Sequence, residues 1–146
     1  MNLLLITPED ALKQLPVLTK YFNKAIAYGQ GESTLTDYMR KILNKQAQCW
    51  LAIDGAHIVG VGLTEILEYA QHKTVHIIVF SCDDFEKCYS LFPIVEEFAK
   101  QQGCTAVEQW GRKGWAKALP KYVPGFEEAY VVMRKPIDNL NKGESL

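Results

Sequence analysis

At 146 residues, with 48% hydrophobic and 23% charged residues, the chain has the length of one domain and an ordinary globular composition, which excludes a disordered or fibrous protein. A formal net charge of −1 gives no global pull toward nucleic acid or an anionic membrane, so any such contact would need a local patch. The leading apolar run, Leu3 to Ile6, is too short for a signal-peptide core and lacks a basic flank, and no stretch reaches bilayer length. The expectation is a chain that stays in the compartment where it is made.

Asn2 to Ile6 reads as a short strand. Thr7-Pro8-Glu9-Asp10 then opens a helix, with Thr7 as cap and Pro8 in the first turn. Leu12, Leu15, Leu18, Phe22 and Ile26 recur at helical spacing, and Pro16 inside that pattern predicts a kink or a restart. A second helix follows the Thr34 cap, with Asp37 three residues on and Leu35, Tyr38, Met39, Ile42 and Leu43 as its apolar stripe. Such a stripe is core rather than a binding box.

From Ala47 the period changes. Cys49 to Ile53 is a strand, Asp54-Gly55 a hairpin turn, and His57 to Glu68 the returning strand, where Gly60 and Gly62 predict a bulge or a close backbone approach. Thr74 to Phe80 is apolar enough to be a central strand covered on both faces. Asp83 and Asp84 open a helix with the stripe Phe85, Cys88, Phe92, Val95 and Ala99; Pro93 sets its first two turns apart and Gly103 stops it. Ala106 to Trp110 is the next strand, and a helical crossover makes it parallel to Thr74–Phe80. A short helix around Trp115, Ala118 and Leu119 is limited by Pro120 and Pro124, and Phe126 to Met133 reads as the last strand. The expectation is an α/β domain over residues 1–138, a mixed central sheet with a parallel pair and about four flanking helices, followed by a polar tail, residues 139–146.

Cys49, Cys82, Cys88 and Cys104 form no CxxC pair and lie in apolar or helical settings. They read as free structural thiols in a reducing cytoplasm, with no metal site.

The order and spacing of several segments resemble the GNAT fold, that of the GCN5-related N-acetyltransferases. These are WLAIDGAHIVGVGLTEI, EEFAKQQGCTAVE, and Gly125-Phe126 before a last strand ending in Met133-x-Lys135. The likeness covers roughly residues 47–137, and the first two helices agree in position only. Trp50, Thr64-Glu65, Ala99 to Cys104 and Gly111-Arg112-Lys113-Gly114-Trp115 further resemble the GNAT-like proteins of tailed bacteriophages.

The resemblance implies acetyl-CoA as cofactor, with its pyrophosphate on bare amides of a glycine-containing loop at a helix N-terminus. Here that loop reads Ser81-Cys82-Asp83-Asp84-Phe85-Glu86. It has no glycine, and its carboxylates favour an empty helix end and oppose a polyanion. Cys82, Asp83 and Asp84 are therefore a degenerate cofactor loop, with Asp83 or Ser81 as an ordinary cap. The resemblance also implies a tyrosine acid in the last helix. Tyr122 is the candidate, one residue nearer Phe126 than usual, which turns a helical side chain by about 100°. Glu65, Glu68 and Glu108 are candidates for a general base, Glu65 and Glu108 foremost, while His57, His72 and His76 look scattered. Trp110, Arg112, Lys113, Trp115, Lys117 and Lys121 form a basic-aromatic concentration that suits a protein interface; nucleic acid is not an expected partner.

The expectation is a phage-type GNAT-fold protein without catalysis and without a cofactor. It would serve in the virion, in assembly or in protein interaction, with other virion proteins or itself as partner, in the host cytoplasm or the particle. The alternatives are an acetyl-CoA-dependent N-acetyltransferase and a host-directed binding protein.

Overall fold

The computed structural model describes residues 1–29, 31–111 and 114–137. Arg112, Lys113 and the tail 139–146 lie outside the described residues. In chain order the elements are β1 (Asn2–Ile6), α1 (Pro8–Lys13), α2 (Leu15–Ile26), α3 (Leu35–Leu43), β2 (Gln48–Asp54), β3 (His57–Glu68) and β4 (Lys73–Cys82). They continue with α4 (Phe85–Tyr89), α5 (Phe92–Gln101), β5 (Ala106–Gln109) and α6 (Trp115–Tyr122). The α/β class, the mixed sheet and the parallel pair are borne out: the order is β1-β2-β3-β4-β5, antiparallel except for β4 and β5.

Among the described residues six helical segments stand where about four were expected, because proline divides two of them. Pro16 sits in the first turn of α2, where its missing N–H costs nothing, and Gln14 joins α1 to α2. Pro93 does the same for α5, separating it from the single short helix α4. Pro120, by contrast, does not end α6, which runs on to Tyr122 with the proline inside it. Thr34 and Asp37 make the full reciprocal capping box at α3, Thr34 N donating to Asp37 Oδ2 at 2.8 Å.

The two faces of the sheet are covered by different helices. Alternation along β2 sends Cys49 and Leu51 toward α1–α3 and Trp50 and Ala52 toward α5. Leu18, Phe22 and Ile42 close the first core, Leu91, Val95 and Ala99 the second, and Tyr89, Phe92 and Leu119 pack on Ile77 beside it. Two bulges interrupt the ladders. In β3 the register with β2 slips between Ala52 and Ile53, near the expected place, and in β4 it slips so that Leu63 faces Val79 while Thr64 faces Ile77. The close approach expected of Gly60 is real: a Cβ there would lie 2.7 Å from the Cβ of Cys82.

The expected last strand is absent from the sheet. Residues 126–137 form no regular element, and β5 has a pairing partner only in β4 among the described residues. High β-propensity alone does not make a strand; the segment forms one only where a partner's ladder meets it.

Candidate functional site

The slip at Ile78 decides what the middle of the sheet can offer. β4 pairs with β5 only over Thr74–Ile77, opposite Ala106–Gln109, while β4 itself continues to Cys82. The sheet therefore opens between the two parallel strands just beyond Ile77. Register then fixes which side chains flank that opening. His76 stands opposite Glu65 on β3 and opposite Glu108 on β5. All three side chains share the face covered by α3, since His76 is out of phase with Ile77, which packs on the other face.

His76 is buried at 7% exposure, and its Nδ1 has no hydrogen-bond partner. Glu65 Oε1 lies 3.9 Å from that nitrogen, beyond hydrogen-bond reach. Glu65 instead accepts from the Lys41 ammonium at 3.0 Å, reaching across from α3. Glu108 accepts from the Tyr69 hydroxyl at 2.9 Å and from the Trp110 indole at 3.4 Å. That hydrogen bond first, and the Glu108 charge with it, raises the Tyr69 phenol above its ordinary value. Trp110 lies over the imidazole with ring centroids 4.1 Å apart, leaving 64% of itself in solvent. Burial pulls the His76 imidazole below its ordinary value, against the opposing pull of Glu65 and Glu108. The result is a neutral imidazole between two carboxylates, a group able to take a proton and have the cation stabilised on both sides.

The structure thus brings Glu65 and Glu108 together and adds His76, which sequence spacing leaves among scattered histidines. The signal that unites them is the parallel β4–β5 register, which no local pattern encodes. Tyr122 is across the sheet from them. It stacks on Tyr89 with centroids 5.8 Å apart and is 39% exposed. Tyr89 is buried and donates to Gln109 Oε1 at 3.0 Å, tying α4 to the end of β5. Tyr122, Lys117 and Lys121 line one wall of an open cleft of about 510 Å³, with Glu86 and Ser90 of the α4 region on the other. Trp115 packs edge-on against Phe85. The basic-aromatic concentration is consequently divided by the sheet, with Trp110 on the α3 side and Trp115, Lys117 and Lys121 on the α4 side.

The residues at the head of α4 do not fit a pyrophosphate. Asp84, rather than Asp83 or Ser81, is the cap: its Oδ1 accepts from Lys87 N at 3.2 Å. The Asp83 amide donates to Val59 O at 3.0 Å and its carboxylate accepts from the Tyr21 hydroxyl at 3.0 Å. Tyr21 is pushed up to about 12, by burial first and then by Asp83. Cys82 is buried against Cys88, and Lys24 donates to the Cys82 carbonyl at 3.4 Å. With its own carboxylates on the helix end and α4 only five residues long, the loop has anion repulsion where a phosphate would need free amides.

Fold and site together define a mixed α/β sheet opened between two parallel strands, and the solved structures whose fold this chain resembles include acetyltransferases of the GNAT fold. An aminoglycoside acetyltransferase from an uncultured soil metagenomic sample, solved with sisomicin, superposes with a TM-score of 0.69 at 17% identity, covering 93% of this chain and 95% of that one. A probable acetyltransferase gives 0.70 at 13% identity, covering 95% and 99%. The ribosomal-protein-alanine N-acetyltransferase of Brucella melitensis biovar Abortus 2308 gives 0.64 at 12%, covering 92% and 100%. The chain has the GNAT fold over nearly its full length, and at these identities the likeness speaks for the fold alone. No protein-family model and no characterised sequence matches it. Among the described residues no helix is long and apolar enough to cross a membrane.

Proposed function

We propose that this chain is a GNAT-fold binding protein that works by protein contact rather than by acetyl transfer. The observation that carries the reading is the head of α4, where Asp84 occupies the helix end and Asp83 is committed to Tyr21. A cofactor would have to displace both contacts and then sit among carboxylates. The test is calorimetric titration of the full chain with acetyl-CoA and with CoA up to millimolar concentration. The expected result is no saturable heat; saturable binding overturns the reading. The narrower idea of a virion or assembly role rests on the sequence resemblance to tailed-phage proteins and draws nothing from the structural comparisons. Mass spectrometry of purified particles tests it, and absence of the protein would sink it.

A second reading, an N-acetyltransferase with an unusual grip, is favoured by one specific feature. The 510 Å³ cleft carries Lys117 and Lys121 on one wall beside Tyr122, and His76 between Glu65 and Glu108 supplies a base. In that case the lysines would hold the cofactor's phosphates, and acetyl-CoA would supply the activated acyl group. Binding heat that disappears in Lys117→Glu/Lys121→Glu but survives in Glu65→Gln would establish this reading over the first.

A further inference from the structure

Glu65, His76 and Glu108 lie side by side on three neighbouring strands, and what each leaves unused is an acceptor. Glu65 gives Oε2 to Lys41 at 3.0 Å, while its Oε1, 3.9 Å from His76 Nδ1, enters no hydrogen bond among the described residues. Glu108 gives Oε2 to Tyr69 and to Trp110, and neither bond uses its Oε1. Between the carboxylates the His76 side chain is 9% exposed and its Nδ1 has no partner. A neutral imidazole accepts at one ring nitrogen. Lys41 offsets only Glu65, so the cluster is net negative and lined with acceptors, the complement of a cation with several donors.

The cover of the cluster is weakly tied. Trp110 is the first residue past β5 and lies over the imidazole at 4.1 Å. Its one hydrogen bond, to Glu108, is 3.4 Å long, and 64% of the residue is in solvent. Strand spacing then selects the cation. Glu65 and Glu108 start from backbones on either side of β4, about 9–10 Å apart. One ammonium nitrogen, with hydrogen bonds of about 2.9 Å on either side, bridges acceptors no more than about 6 Å apart. A guanidinium is wider, flat like the indole, and carries five N–H donors around its rim. In the indole's place over His76, one terminal nitrogen can serve both Glu65 Oε1 and His76 Nδ1, and the opposite edge can serve Glu108 Oε1.

We propose that Glu65, His76 and Glu108 form a binding site for the guanidinium of an arginine side chain on a partner protein, which enters as Trp110 swings aside. The protein source of that arginine rests on the protein-contact reading above; the guanidinium site itself does not. Contact of this kind transfers nothing, since a guanidinium stays protonated.

The test is calorimetric titration of the full chain with short capped peptides that differ in one side chain: arginine, lysine or citrulline. The arginine peptide should saturate the chain within millimolar concentration, the lysine peptide should bind at least about tenfold more weakly, and the uncharged citrulline peptide should not bind. Free arginine, whose own carboxylate meets the acidic cluster, should bind more weakly than the arginine peptide. Glu65→Gln and Glu108→Gln should each weaken the arginine peptide at least about tenfold. Glu68→Gln removes the same charge on β3 but out of phase with Glu65, and should leave binding unchanged. Trp110→Ala should bind more tightly, because no indole has to leave. No saturable heat with the arginine peptide overturns the proposal, as does equal binding of the lysine peptide; both results come from the unaltered chain and do not depend on how a variant folds. Loss of binding in Trp110→Ala overturns the seat over His76, and free arginine binding as tightly as the peptide overturns the protein source. Acetyl-CoA titrated separately reports on the other reading, so saturable CoA heat beside retained peptide binding would overturn that reading and leave this site standing.

Discussion

His76 and Glu65 face each other across β4 and β3 with 3.9 Å between Nδ1 and Oε1, near enough to feel the charge and too far to share a proton. Glu65 is held by Lys41 instead, and Glu108 on the other side is held by Tyr69 and Trp110. Burial is the strongest influence on the imidazole and keeps its folded value below the 6.5 of an open chain. The unfolded chain therefore binds the proton more readily than the folded one, and the native state is favoured above the unfolded value. Urea denaturation is expected to show stability falling as pH drops below about 6.5 through the folded value. His76→Asn should flatten that slope relative to the unaltered chain. An unchanged slope in the variant would move the effect to other groups.

The buried chain Trp50 to Thr64 to Gln48 gives a second expectation. The indole donates to Thr64 Oγ1 at 2.9 Å, and that hydroxyl donates onward to Gln48 Oε1 at 2.9 Å. Trp50 and Thr64 are 4% and 2% exposed, so water cannot replace a lost partner. Thr64→Val keeps the shape and strands the indole N–H, at a cost of about 1–3 kcal/mol in urea denaturation. Thr64→Ser keeps the hydroxyl and should cost less. Equal losses in the two variants would assign the effect to packing alone.

The elements fixed by local chemistry were legible in the sequence. Thr34 with Asp37, Pro16, Pro93 and Asp54-Gly55 each act within a few residues, and the helices and the hairpin follow from them. The acidic Asp83-Asp84 step was legible for the same reason, although which aspartate caps depends on where the first turn of α4 begins. His76 was not legible as a site residue. Its neighbours Glu65 and Glu108 arrive from strands eleven residues earlier and thirty-two later, and only register brings the three together. Residues 126–133 fail for the opposite reason: strand composition is local, but a strand exists only with a partner.

Gly60 offers the sharpest test of how β3 meets β4. Its backbone is not in the left-handed region, so a side chain there is not forbidden by conformation; the obstacle is space. A Cβ would come within 2.7 Å of Cys82 Cβ and 3.1 Å of the Ser81 carbonyl oxygen, and neither atom belongs to a flexible side-chain tip. At Gly62 the nearest contact would be 3.4 Å, to Trp50 Cβ. Gly60→Ala should therefore overpack the strand pair and cost about 1–3 kcal/mol, with Gly62→Ala costing less. Thermal or urea denaturation of the two variants side by side checks the order. The strain should also reach the loop after Cys82, because the Asp83 amide is bonded to Val59 O beside Gly60. Gly60→Ala is expected to speed hydrogen exchange at Asp83, while Gly62→Ala leaves it unchanged; equal exchange in both would uncouple that loop from the β3–β4 contact.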